Sequence, residues 1–313
     1  MSEFARKHAW VLGLVALMAV LLALTKIIQP SFGVSGLESI ARAALPFAFA
    51  TAGMAVVVIV GGIDLSVASM MAVCAVTTAV LMEKMAGVPA LLIVLGLGLA
   101  MGLINGALIV LTRVPDIVAT LAMLFVWEGV ALLILETPGG SAADWLQQSI
   151  RGSFLIPGLP NALVVIAAGI ALIWLPIRRS KLGLSIYATG SDELAAFRSG
   201  VAVGRTKIAA YGICGLFCAL GGLSLAALTG IGEPVPGPYL LASVAAVVLG
   251  GVVLGGGRGS LLGPIIAVLI LRIVRTDLTL LAVDPNVTII IEGTIMVGVV
   301  MLGTIATLRS ARS

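Results

Sequence analysis

Residues 39–85 read SIARAALPFAFATAGMAVVVIV, then GGIDLS, then VASMMAVCAVTTAVLMEKM: two long apolar runs on either side of a six-residue break from Gly61 to Ser66. Each run is about as long as the 20 residues an α-helix needs to cross a bilayer. Each is charged only near the end away from the break, at Arg42 and at Glu83 and Lys84.

Outward from this stretch the same pattern continues along the chain. Apolar runs of helical length occupy approximately 9–28, 39–60, 64–85, 90–112, 117–136, 160–177, 207–229, 239–256, 260–282 and 286–308. They predict an all-α polytopic membrane protein with about ten transmembrane helices. Composition agrees. Of 313 residues, 60% are apolar and 10% charged, against roughly 25% charged in ordinary soluble proteins. The first run follows Arg6, Lys7 and His8 as a signal peptide would, but no small-residue cleavage site follows it, so it reads as a retained helix.

Composition also excludes whole classes of chemistry. His8 is the only histidine, which rules out a histidine metal site and a Ser-His-Asp triad. Cys74, Cys214 and Cys218 are odd in number and lie within apolar runs, so they read as packing residues and not as a disulfide framework. The net charge of +4 needs no nucleic acid to explain it. With the N-terminus inside, 12 of the 18 Lys and Arg residues fall on the inner side, among them Arg113, Arg178, Arg179, Lys181, Arg198, Arg205, Lys207 and Arg258. Lys26, Arg42, Lys84, Arg151, Arg272 and Arg275 fall outside or near the outer end of a span. Both termini are therefore expected in the cytoplasm, residues 137–159 outside and residues 178–206 inside.

The two halves echo one another. Trp127-Glu128-Gly129 in the fifth span is matched by Ile291-Glu292-Gly293 in the tenth, and each follows a Pro- and Asp-containing loop. Matching spans two to five with seven to ten gives inverted repeats, a transporter signature with the pathway at the repeat interface. The chain is read as one permease domain, 1–313, with an N-terminal half (1–177), a cytoplasmic coupling loop (178–206) and a C-terminal half (207–313).

Several motifs bear on function. The glycine-rich stretch from Gly250 to Ser260 has no Gly-Lys-Ser/Thr and lies between two spans, so it is a tight turn and not a phosphate loop. At the break, Asp64 and Ser66 either cap the third span or line a gate. Glu128 and Glu292 fall within the membrane thickness, where a carboxylate needs water, a partner or a proton. They serve either structural pairing or solute contact. With Asn105 on the fourth span, these residues are the candidates for a translocation path or gate: Asp64, Ser66, Asn105, Glu128 and Glu292. Residues Ser191, Asp192, Glu193, Leu194, Ala195, Ala196, Phe197, Arg198, Ser199 and Gly200 form a short helix with a capping start and a glycine stop, suited to a groove on a partner.

The chain resembles the permeases of ribose/xylose/galactoside-type ABC importers from about residue 40 to residue 303. Gly61 to Ser66, Gly190 to Gly200, Ala245 to Gly251 and Gly256 to Ser260 carry the resemblance, in that order. It implies a permease that is not itself an enzyme, in the bacterial inner membrane, paired with a second identical or homologous permease. It further implies cytoplasmic ATPase subunits that bind ATP and Mg, a periplasmic sugar-binding protein, and docking of the ATPase on the helix before Gly200. The competing reading is an ion- or proton-coupled secondary transporter with no ATPase, and the 178–206 segment argues against it.

Overall fold

The computed structural model describes residues 9–85, 87–235 and 237–310. Arg6, Lys7 and Arg312, which entered the charge count above, and His8 lie outside the described residues. In chain order the helices are α1 (Ala9–Ile28), α2 (Val34–Ile59), α3 (Val67–Lys84), α4 (Val88–Thr112), α5 (Asp116–Ile134), α6 (Asp144–Ser149), α7 (Asn161–Arg178), α8 (Lys181–Ser191), α9 (Glu193–Arg198), α10 (Val203–Thr229), α11 (Tyr239–Leu249), α12 (Leu262–Leu280) and α13 (Pro285–Ser310). No strand occurs among the described residues beyond two isolated bridges. Among the described residues, seven helices, α1 to α5, α7 and α10, are long and apolar enough to cross a membrane.

Two of these form the centre. α2 is 89% buried along its most apolar window, and α10 packs against it and against α3 and α4. α12 and α11 lie on the other side of α2, α1 packs on α12, and α13 packs on α11. α1 is more apolar still, yet only 11% of it is buried. An all-apolar helix left open in this way needs lipid or another chain around it. The α4–α10 crossing depends on missing side chains: a Cβ on Gly102 would strike the Tyr211 carbonyl, and one on Gly215 would strike the Gly98 carbonyl. The Gly98, Gly102 and Gly106 stripe is therefore a surface for close helix approach.

Helix bounds depart from the sequence expectation where polar turns intervene. The third span begins at Val67 and not at residue 64, because Asp64 and Ser66 are held in a hydrogen-bonded turn before it. α11 ends at Leu249, giving about 16 Å of helix at 1.5 Å per residue, where the apolar run had suggested a span to residue 256. Gly251, with φ +83°, stops it: the amides of Gly251 and Val252 turn back to the carbonyls of Val248 and Val247. Segment 178–206 contains two helices, α8 and α9, where one had been expected.

Contacts between loops define two ends of the bundle. At one end, segments 60–66, 113–116, 179–202 and 250–261 gather, and the Trp10 indole donates to the Leu249 carbonyl. At the other, Gly139 pairs with Gly232, the Ala142 amide donates to the Gly230 carbonyl, and the Gly152 amide donates to Glu38.

Candidate functional site

The first candidate site stands at the end where the glycine-rich segments meet. α8 starts at Ser180, whose hydroxyl accepts the Gly183 amide, and it breaks at Asp192. The extended Asp192 then caps α9 by accepting the Ala195 amide at 2.9 Å. α9 ends in a Schellman turn: Gly200 N–H reaches the Phe197 carbonyl and Val201 N–H the Ala196 carbonyl, with Gly200 at φ +85°. This places Ser191 to Gly200 in one rigid hairpin-like bend. Leu194, Ala195 and Phe197 point into the open, Phe197 with 67% of its surface exposed, whereas Ala196 is turned inward and buried. Asp192, Glu193, Arg198 and Ser199 are exposed around them, and Lys207 holds Glu193 at 2.8 Å.

The bend is seated on the break after α2. A Cβ on Gly190 would strike the Ile59 carbonyl, which itself accepts the Gly257 amide at 2.8 Å. The Tyr187 hydroxyl donates to the Gly259 carbonyl at 2.9 Å, and its ring leans on Trp174 of α7. Burial pushes the Tyr187 hydroxyl above its ordinary range, with the Arg178 guanidinium pulling the other way. Three sequence motifs far apart in the chain, at Gly61, Gly190 and Gly256, thus touch at one junction.

The second candidate is a buried polar chain starting just inside that junction. The Ser66 amide and hydroxyl both donate to Asp64 Oδ1, at 2.9 and 2.7 Å. Asn105 Nδ2 donates to the Ser66 hydroxyl at 2.7 Å, and the Trp127 indole donates to Asn105 Oδ1 at 3.1 Å. Asp64, Ser66 and Asn105 are all fully buried. Ser66 stands at the N-cap position of α3 but makes no cap bond, so its hydroxyl serves the chain and not the helix end. Next to it the Tyr211 hydroxyl donates to Asp116 at 2.9 Å, and Thr120 accepts the Leu65 amide at 3.1 Å.

The two glutamates go elsewhere. Glu128 follows Trp127 on α5, half-buried, with no hydrogen bond or ion pair among the described residues. Glu292, on α13, lies 3.6 Å from Arg275 of α12 and lines a cavity of about 120 Å³ with Phe47, Tyr239 and Arg272. α5 packs on α3 and α4, whereas α13 packs on α11 and α12, so the matched glutamates are not brought together within one chain.

Sequence reasoning missed Trp127, Tyr187, Phe47, Tyr239, Arg272 and Arg275 as site residues. For Arg272 a signal existed: counted above with the cations near the outer end of a span, it in fact falls in the middle of the apolar run 260–282. For Tyr187 none did, because its partner is a backbone carbonyl 72 residues away.

Over residues 36–300 the chain matches the family described as "Branched-chain amino acid transport system / permease component". It is 31% identical over 303 residues to the ribose import permease protein RbsC of Escherichia coli, covering 94% of each chain. Against the protein of the same name from Bacillus subtilis it is 34% identical over 257 residues, covering 80% of this chain and 79% of the other. With the autoinducer 2 import system permease protein LsrD of Escherichia coli it shares 30% identity over 312 residues, covering 94% and 92%. No solved structure matches it.

Proposed function

We propose, from the premise that this chain belongs to the family of branched-chain amino acid transport permease components, that it forms part of the membrane path for a sugar or sugar-like solute. As an ABC importer permease it supplies the path and leaves ATP chemistry to another subunit. In this reading a cytoplasmic ATPase binds ATP and Mg, a periplasmic binding protein delivers solute, and a second permease, identical or homologous, completes the pathway. The solute class rests on the names of the relatives, which are import permeases for ribose and for autoinducer 2.

The observation that carries the reading is the α8–α9 bend. It displays Leu194, Ala195 and Phe197 away from the bundle while being fixed through Gly190 to the end of α2. An apolar face displayed at a loop end needs a protein groove, and a rigid seat lets force applied there reach the membrane helices. Ser191 to Gly200 are assigned to ATPase docking, and Asp64, Ser66, Asn105, Glu128 and Glu292 to the path or its gate. The chain is treated as one permease domain, with halves 1–177 and 207–313 joined by the coupling loop 178–206. α12 and α13 add two full-length crossings to the seven and the shorter α11 a partial one, giving ten in two inverted repeats with both termini cytoplasmic in the bacterial inner membrane. This orientation puts the α8–α9 end inside.

Reconstitution tests it. The chain alone in liposomes should hydrolyse no ATP. Together with a second permease, the cognate ATPase and the binding protein, hydrolysis should be stimulated by loaded binding protein and solute should accumulate. Accumulation driven by an ion gradient, with no ATPase present, would establish the secondary-transporter reading instead.

A further inference from the structure

The cavity beside Glu292 has an unbalanced charge. Arg272 lies about midway along α12, and its guanidinium sits 5.2 Å from the centroid of the Phe47 ring, itself about midway along α2. Both lie about halfway along their helices, and the cavity between them is closed on one side by Gly237 and Pro238 of the loop before α11. A guanidinium at the centre of a membrane helix is strongly unfavourable unless it meets water, a counter-charge or a ligand, so such a residue marks a functional site by default. Arg272 Nε is buried with no hydrogen-bond partner among the described residues, while the rest of its guanidinium faces Tyr239 and the Glu292 carboxylate. Stacking on Phe47 offsets only part of the cost of placing the charge there.

Of the carboxylates nearby, only Glu292 lines the cavity. Glu292 is paired with Arg275. Asp277, on the same helix, accepts from Thr25 at 2.7 Å through Oδ1, keeps Oδ2 buried without a partner among the described residues, and does not line the cavity. Glu38 is paired with Arg42. Glu233 stands near Tyr239 but does not line the cavity. α11, which supplies one wall, carries no charged residue at all. The lining thus presents two guanidinium groups against one carboxylate, with two aromatic rings, Phe47 and Tyr239, 6.5 Å apart.

We propose that this cavity is a stop on the solute path for a small hydroxylated anion. Arg272 takes the solute's carboxylate or phosphate through its planar fork, Glu292 and Tyr239 face its hydroxyls, and Phe47 faces its carbon skeleton. The proposal rests on the permease reading above and narrows its solute from a sugar-like molecule to an acidic one.

The test is ligand-induced stabilisation of the full chain in nanodiscs of zwitterionic lipid, with D-ribonate, D-ribose 5-phosphate and D-ribose as probes at millimolar concentration and matched ionic strength. At least one of the two anions should raise Tm by a few degrees and ribose should not; which anion acts assigns the oxyanion as carboxylate or phosphate. R272Q should remove the shift. R272K, which keeps the charge but not the fork, should retain a reduced one and serves if R272Q does not fold. Equal stabilisation by ribose, no shift with any probe, or a shift that survives R272Q overturns the proposal. So does loss of the soluble-anion shift in phosphatidylglycerol discs, which assigns the cavity to a lipid headgroup. ATP-driven import of a neutral sugar alongside a failed anion shift would remove this proposal alone. A positive anion shift without ATP-coupled transport would remove the importer reading alone.

Discussion

Asn105 holds together groups from three helices. Its amide nitrogen serves Ser66 at the start of α3, and its oxygen takes the Trp127 indole of α5. Truncation to Ala leaves a buried hydroxyl and a partly buried indole without one partner each, and an unmade buried hydrogen bond costs about 1–3 kcal/mol. N105A should therefore lower the Tm of the detergent-purified chain, whereas removal of an exposed polar group such as Ser199 should not; equal Tm values for N105A and the parent would show that the chain of bonds is dispensable. Tyr187 gives a pH signature. Its folded-state pKa is raised by burial, so the fold favours the neutral phenol. This contribution is complete below the ordinary tyrosine value of about 10 and is lost as pH rises through the folded value, because above about 10 the unfolded chain releases a proton that the folded chain retains. Tm should fall more steeply above pH 10 in the parent than in Y187F. Parallel pH profiles would mean that the hydroxyl contact to Gly259 contributes nothing.

At the scale of elements, α9 has two faces with different expected phenotypes. Ala195 is exposed beside Leu194 and Phe197, so A195R adds a charged side chain where a partner groove is proposed and leaves the bend intact. Ala196 is buried under the same helix, and an Arg there has to displace its own neighbours. A195R should reduce co-purification of the ATPase while keeping the Tm of the permease; A196R should lower Tm as well. Undiminished ATPase recovery with A195R would place docking elsewhere. The helix was legible in the sequence because its signals are local: a capping Asp192, a short amphipathic run and a stop at Gly200. What it rests on was not legible. Gly190 reads as an ordinary loop glycine until the end of α2 is brought against it, and that contact joins residues 131 positions apart.

For the whole molecule the decisive experiment is topology. The three native cysteines are buried, so single introduced cysteines label against a low background. Ser141 and Ser199 are both exposed and belong to opposite ends of the bundle. S141C should react with a membrane-impermeant maleimide in spheroplasts, and S199C only after permeabilisation. The reverse pattern would invert the proposed orientation, and labelling of both from outside would break the crossing count.

By itself the sequence determined that this chain lives in a membrane as a bundle of helices. Long apolar runs with so few charges have no other stable solvent, and backbone groups in lipid must be bonded within each helix. It also determined where the helices stop at Gly61 and Gly200, since left-handed stops follow from local residue type. Only the tertiary structure decided which polar residues meet. Asp64, Ser66 and Asn105 converge, whereas Glu128 and Glu292, alike in sequence context, lie on helices that pack against different neighbours. It likewise placed Arg272 over Phe47, between helices more than 200 residues apart in the chain. The physical reason is one of range. Hydrophobic length and capping act within a few residues, but the pairing of buried charges depends on which helix faces pack, and in a nearly uniform apolar sequence no local pattern encodes that choice.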